Sequence, residues 1–210
     1  MIPLIQNFKT VVLADGAFPS HRTPLSFLYQ ADRIICCDGA TQNLLNTGLT
    51  PNYIVGDLDS ISEILKDRFS SILFHNPEQE TNDLTKAVQF CIKNGWQEIT
   101  ILGSTGKRED HTLGNLSLLT DYAEKARVQS LTDYGVFVPQ LKSASYESYP
   151  GQQVSIFSLS PTLFLTTHHL VYPIKNQMLT SWWQGTLNEA ASEHFTIEMK
   201  EGKALVFREY

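Results

Sequence analysis

Tyr53-Ile54-Val55-Gly56-Asp57-Leu58-Asp59-Ser60 is the stretch from which the fold is read. A short apolar run ends on a glycine and then on two carboxylates. An apolar run of this length, bounded by turn residues, reads as a strand buried on both faces. Its polar residues all fall at the carboxyl end. In an extended segment, residues two apart point the same way, so Asp57 and Asp59 would face one point. Two such carboxylates repel unless a cation lies between them, and Mg²⁺ takes one or two carboxylates plus waters and phosphate oxygens. The competing reading makes them turn and cap residues ahead of the next helix; their place at a strand end favours the metal.

The same pattern repeats on either side. Val11–Ala14, Arg33–Cys37, Ile72–Phe74 and Ile99–Leu102 are further short apolar runs, each closed by Gly, Asp or Asn. Helical patterns lie between them. Ser60-Ile61-Ser62-Glu63 has the form of a capping box and predicts a helix to about Phe69. Leu84, Ala87, Val88, Cys91 and Ile92 follow i, i+3, i+4, i+7, i+8 spacing and make one apolar helix face, which Asn94-Gly95 terminates. Another helix is predicted from about Asp110 to Lys125, with Leu113, Leu116, Leu119 and Ala123 inward. Strands alternating with helices imply a parallel sheet covered on both faces, a Rossmann-like α/β arrangement.

After about Arg127 the character changes. Gln153–Phe157, Phe195–Met199 and Ala204–Phe207 alternate apolar and polar residues, punctuated by Gly151, Pro161, Pro173, Gly185 and Gly202. This reads as a small antiparallel β-domain. The expected division is residues 1–130 and 131–210.

Composition narrows the function. The chain has 210 residues, 42% hydrophobic and 18% charged, with a net charge of −6 and no lysine or arginine run. Nucleic-acid binding is disfavoured, because a phosphate backbone is held by clustered positive charge. No stretch approaches the roughly 18 to 20 apolar residues of a membrane span, and Met1-Ile2-Pro3-Leu4 does not open like a signal peptide. Cys36, Cys37 and Cys91 fit neither a disulfide framework nor a zinc spacing. They read as reduced core residues of a cytoplasmic protein.

Polar clusters follow the predicted strands: Asp15-Gly16, Asp38-Gly39, Gly56–Ser60, Gln79–Lys86 and Gly103–Asn115. In an open parallel sheet, ligands collect at the carboxyl ends of the strands. Asp83 falls in the first turn of a helix, where it is either a dipole partner or a third carboxylate near the metal. Lys86 shares its face and could meet a phosphate. Gly103-Ser104-Thr105-Gly106-Lys107-Arg108 is not a Walker A loop, which needs four residues between its first glycine and the Gly-Lys. It is still a small-residue loop ahead of a helix, whose N–H groups can bind an anion, and Arg108 adds a fork-shaped donor. Asp110 is equally a helix cap. Trp182-Trp183 and Tyr172 are core, interface, or a platform for a flat cation.

Taken together these segments resemble the thiamine pyrophosphokinase family. Asp38-Gly39-Ala40 resembles its Asp-Gly-Gly element, and Pro51–Ser60 its Pro-Asp-x-x-x-Gly-Asp-Phe-Asp-Ser. Gln79–Lys86 is similar to Gln-x-x-Thr-Asp-Phe-Thr-Lys, and Gly106–His111 with Asn115 to Gly-Gly-Arg-x-Asp-His and its following Asn. Tyr172-Pro173-Ile174 and Gly185–Glu189 resemble later Tyr-Pro-Leu and Ser-Asn-Glu elements. Lys107, Asn82, Ala40 and Leu187 replace a glycine, a threonine, a glycine and a serine of those patterns, and His169 stands near an expected glycine.

The resemblance implies an α/β catalytic domain followed by a β-sandwich. It implies transfer of the pyrophosphoryl group of ATP to thiamine, with Mg²⁺, in a homodimer that holds thiamine at the subunit interface. Asp57, Asp59 and Asp83 would be catalytic and hold Mg²⁺. Asp38, Lys86, Arg108, Asp110, His111 and Asn115 would form the ATP site. Gln79, Asn188, Trp182 and Trp183 would contact thiamine. Two other readings compete: a Mg²⁺-dependent phosphohydrolase using Asp57 and Asp59, and a non-catalytic thiamine or nucleotide sensor.

Overall fold

The computed structural model describes residues Met1–Tyr210, and the chain divides into two compact units. An α/β unit comprises residues 8–118 and 125–133; a β unit comprises residues 1–7, 119–124 and 134–210. No helix is long and apolar enough to cross a membrane.

The chain of the α/β unit runs β1 (Thr10–Leu13), α1 (Arg22–Tyr29), β2 (Arg33–Cys37), α2 (Thr41–Leu45), β3 (Tyr53–Gly56), α3 (Glu63–Arg68), β4 (Leu73–His75), α4 (Asp83–Lys93), β5 (Glu98–Leu102), α5 (Glu109–Tyr122, whose last four residues count with the β unit) and β6 (Arg127–Leu131). Its strands lie in the order β4-β3-β2-β1-β5-β6, all parallel. Consecutive residues of β1, β2 and β5 are buried, so both faces of the sheet are covered, as the unbroken apolar runs require. Helix α4 buries Leu84, Ala87, Val88 and Cys91, the face its periodicity marks, and stops at Gly95 with φ 78°. Each fully buried Leu or Val contributes about 1.5–3 kcal/mol. All three cysteines are free and buried, and burial pushes the Cys36 and Cys91 thiols up to about 12.

Three local expectations are corrected. The capping box at Ser60 does not form: α3 begins at Glu63 with Ser62 as its cap, while the Ser60 hydroxyl donates to Asp59 at 2.8 Å. Leu113 of α5 is half exposed rather than inward. Strand β6 is a sixth parallel strand within the stretch where the sequence reads as changing character. Its polar residues Gln129 and Ser130 are fully buried, with Gln129 Nε2 donating to Thr100 Oγ1 (2.9 Å) and Ser130 Oγ bonded to Ser104 Oγ (2.7 Å).

The β unit contains β7 (Gly135–Gln140), β8 (Ala144–Glu147), β9 (Gln153–Ser158), β10 (Phe164–His168), β11 (Gln177–Met178), β12 (Asn188–Glu189), β13 (His194–Met199) and β14 (Ala204–Glu209). They form two antiparallel layers, β12-β9-β14-β7 and β11-β10-β13-β8. Alternate residues of β9 and β13 are buried, as the period-two pattern predicts. Tyr146 stacks on Phe195 and donates to Gln140 Oε1 at 2.8 Å, and Gln140 Nε2 donates to the Ile197 carbonyl at 3.1 Å, tying the layers together. The α/β arrangement followed by an antiparallel β part is the fold expected from the sequence.

Candidate active site

The carboxyl ends of β1, β2, β3 and β5 and the start of α4 enclose a cleft of about 390 Å³. Asp38, Asp57, Gln79, Asp83, Lys86, Arg108, His111 and Asn115 all line it. Residues spread over about 80 positions of sequence meet because each lies just past a strand end or on the first turns of α4 or α5.

Asp38, Asp57 and Asp59 bring carboxylate oxygens within 4.8 Å of one another. The cause differs from the extended geometry expected of Asp57 and Asp59. Leu58 between them is left-handed, φ 65°, and the Asp59 N–H donates to Asp57 Oδ1 at 3.3 Å. A tight turn, not strand alternation, converges the two. Asp38 approaches from β2 only because Gly56 has no side chain: a Cβ there would stand 2.8 Å from Asp38 Cγ. The backbone N–H groups of Gly39 and Ser60 donate to Asp38 at 2.8 and 3.4 Å. Burial, and then the negative charge of Asp83, nevertheless raise its carboxyl above the usual range. The hydrogen bond from Gln79 (3.2 Å) leads the effects that lower Asp57. Three oxygen-donor carboxylates, one of them buried and held against its neighbours' charge, are the donor set that a hard divalent cation takes.

Asp83 opens α4 and accepts from Lys86 Nζ at 2.9 Å; Asp57 Oδ2 lies 3.8 Å from the same nitrogen. Lys86 is almost fully buried. Burial works against its charge, but the hydrogen bond and charge of Asp83, with Asp57 and Glu78, outweigh it and raise the ammonium above its ordinary value. Asn82 caps α4, its Oδ1 accepting from Thr85 N–H at 2.9 Å. Asn82 Nδ2 donates to Asn115 Oδ1 (2.9 Å), and Asn115 Nδ2 donates to the Ser104 carbonyl (2.9 Å). Asn115 thus ties the start of α4 to the β5 loop.

Arg108 holds Asp110 through Nε (3.1 Å) and Nη2 (2.5 Å). That bond, above all, lowers the Asp110 carboxyl to about 2. Asp110 also accepts from the His111 N–H at 2.9 Å, and both Arg108 and His111 are exposed. Asp15 and Lys107 form a 2.7 Å ion pair on the cleft wall. In the sequence Asp15 is a polar strand end with no role and Lys107 a replaced glycine; no local spacing announces a contact between residues 92 apart.

In the β unit, Asn188 is buried and satisfied locally: its Oδ1 accepts from Tyr172 N–H (3.1 Å) and its Nδ2 donates to the Tyr172 carbonyl (2.7 Å). Tyr172 itself is exposed, as are Leu187 and Trp183; Trp182 is partly so and donates its indole N–H to the Ser158 carbonyl at 3.2 Å. Leu187 and His169 have φ 56° and 64°. The left-handed backbone at His169 accounts for a glycine near that place in the related pattern.

Residues 25–130 match the family model described as thiamin pyrophosphokinase, catalytic domain, and residues 135–207 the one described as thiamin pyrophosphokinase, substrate-binding domain. Among curated relatives, thiamine pyrophosphokinase 1 of Oryza sativa subsp. japonica is 30% identical over 146 residues, covering 62% of this chain and 55% of its own. Thiamine pyrophosphokinase of Bacillus subtilis (strain 168) is 35% identical over 86 residues, covering 39% and 40%. These matches span about half of the relatives' length or less. The crystal structure of a thiamine pyrophosphokinase from Bacillus subtilis superimposes with a TM-score of 0.79 at 23% identity, covering 96% of this chain and 99% of that one, a likeness of fold.

Proposed function

The chain belongs to the thiamin pyrophosphokinase family, and on that premise we propose that it transfers the pyrophosphoryl group of ATP to the hydroxyl of thiamine, giving thiamine diphosphate and AMP. The observation that carries the reading is the convergence of the Asp38, Asp57 and Asp59 carboxylates at the edge of the cleft that Asp38, Asp57 and the buried Lys86 line. Phosphoryl-type transfer asks a protein mainly for positioning and charge neutralisation.

Asp57 and Asp59, joined by Asp38, would hold Mg²⁺, with Asp83 close by. The cation would supply neutralisation of phosphate charge. Lys86, locked by Asp83 and Asp57, gives a fixed positive charge facing the cleft. Asp83 is suited to take the proton of the thiamine hydroxyl as that oxygen bonds to the β-phosphorus and the bond to AMP breaks. Arg108, with Asp110 and His111, would steady the phosphates, and Asn115 fixes the loop on which they rest. Gln79 would meet the aminopyrimidine. Trp182 and Trp183 would serve thiamine from residues 131–210, with Asn188 bracing the Tyr172 backbone beside it, while residues 1–130 would serve ATP. Exposed indoles suit a thiazolium cation, and a homodimer would give them a partner subunit's cleft to face. Buried free thiols suit a reducing cytoplasm.

The test incubates the purified chain with ATP, MgCl₂ and thiamine and resolves the products. Equal AMP and thiamine diphosphate, abolished by EDTA, is the expected result. ADP or phosphate released without thiamine would replace this reading with a hydrolase, and binding without product would replace it with a sensor.

A further inference from the structure

Lys107 stands on the loop between β5 and α5, and its backbone position is fixed. Gly16 N–H donates to the Gly103 carbonyl and Ala17 N–H to the Thr105 carbonyl, each at 2.7 Å. Gly106, φ 90°, packs where a Cβ would stand 2.5 Å from Ala17 Cβ. The Lys107 side chain, by contrast, is half exposed and lines the cleft. Its ammonium makes one bond, to Asp15 Oδ1, and carries two further protons to donate.

The other cations of the cleft are paired as well, although Arg108 keeps three of its five N–H donors for a phosphate. Lys86 is buried between Asp83 and Asp57, and Arg108 gives two bonds to Asp110. Against them stand the carboxylates of Asp15, Asp38, Asp57 and Asp83. An exposed lysine–carboxylate pair is weak, whereas a multiply charged phosphate in a cleft is a stronger partner. The Asp15 carboxylate, itself exposed, lies against Gly39, where a Cβ would stand 2.8 Å from Asp15 Oδ2.

We infer that Lys107 is a phosphate-holding residue of this chain, one that leaves Asp15 and closes on the polyphosphate of a bound nucleotide. The inference rests on the ATP reading above, and it gives Asp15 the opposing role of a competitor for the same ammonium. A glycine occupies this place in the related motif, so the contact is one that the motif itself does not supply.

The experiment measures binding of Mg·ATP, and of Mg with inorganic tripolyphosphate as a phosphate-only probe, by calorimetry on the full chain. Wild type is compared with Lys107→Gly, Lys107→Arg and Asp15→Asn, each checked for an unchanged melting transition. Lys107→Gly is expected to weaken both ligands about 5- to 10-fold, and to raise the KM for ATP with kcat within about twofold. Lys107→Arg keeps the affinity, and Asp15→Asn tightens it about 2- to 5-fold by freeing the lysine. Wild-type affinity in Lys107→Gly, or weakening by Asp15→Asn equal to that of Lys107→Gly, overturns the inference, because the pair then only braces two loops. If wild type makes AMP and thiamine diphosphate while Lys107→Gly binds normally, the inference alone falls. If wild type binds no Mg·ATP, both readings fall together.

Discussion

Asp38 is kept where a carboxylate is unfavourable: buried, next to Asp57 and Asp59, and within the field of Asp83. On the metal-binding proposal above, such a site trades stability for a binding task. Because its folded carboxyl titrates above the ordinary 3.8, the folded chain keeps this proton to higher pH than the unfolded one. Its contribution to stability is therefore largest at low pH and falls as pH rises through the raised value. Asp38→Asn keeps an oxygen for the Gly39 N–H and removes the charge. In EDTA at neutral pH it is expected to be more stable than wild type by about 1 kcal/mol, with a flatter dependence on pH above 4. If the proposed Mg²⁺ site is right, millimolar MgCl₂ stabilises wild type by binding only the folded state, and Asp38→Asn is expected to lose that stabilisation. Thermal unfolding with and without MgCl₂ reads both effects; an Asp38→Asn chain still stabilised by MgCl₂ like wild type removes Asp38 from the proposed metal site. The sequence marked Asp38 as polar and strand-terminal but could not join it to Asp57 and Asp59, since that contact depends on the missing side chain of Gly56, 18 residues on in the chain.

At the scale of elements, the β3 turn carries the argument. The sequence correctly put Asp57 and Asp59 at a strand end, but the means of their convergence was hidden in one backbone angle, that of Leu58. A left-handed non-glycine residue costs about 1 kcal/mol, while Gly at the same place gives the unfolded chain more freedom. Leu58→Gly is therefore expected to change stability by less than about 1 kcal/mol. Gly56→Ala is the opposite case. Its methyl meets the Asp38 carboxylate at under 3 Å, and displacing that group by even 1 Å is expected to lower kcat about 100-fold. Steady-state kinetics and urea unfolding of the two variants separate geometry from stability; normal turnover in Gly56→Ala would mean the close approach is dispensable. Elements legible in the sequence were those with one consistent pattern, such as β1, β2 and the apolar face of α4. Strand β6 was not, because Gln129 and Ser130 satisfy each other's layer through Thr100 and Ser104, and paired buried polar residues look like exposed ones in a linear reading. The Ser60 capping box fails because α3 starts only at Glu63, which puts Ser62 in the cap position, while the Ser60 hydroxyl and N–H donate to Asp59 and Asp38.

At the scale of the whole chain, the alternating strands of the β unit were legible, yet the membership of residues 1–7 in it was not. Ile2 exchanges backbone bonds with Ser145 and Glu147 at 2.7 and 2.8 Å. Arg208, fully buried, donates to the carbonyls of Pro3 (2.9 Å), Leu4 (3.0 Å) and Glu147 (2.9 Å) and lies over the Tyr146 ring. Contacts about 200 residues apart leave no local signature. Arg208 has no carboxylate among these partners, and burial lowers its guanidinium to about 10. Two of its three hydrogen bonds thus come from residues 3 and 4, and a chain beginning at residue 8 leaves a buried charge short of acceptors. Such a loss is expected to lower stability by about 3 kcal/mol, read as a lower urea midpoint at unchanged slope. If the unsatisfied charge is the cause, Arg208→Met in the shortened chain recovers most of the deficit, since an apolar side chain of similar length needs no acceptors. If the lost Ile2 pairing and packing are the cause, Arg208→Met recovers nothing, and the arginine is then a passenger on a segment held by the sheet.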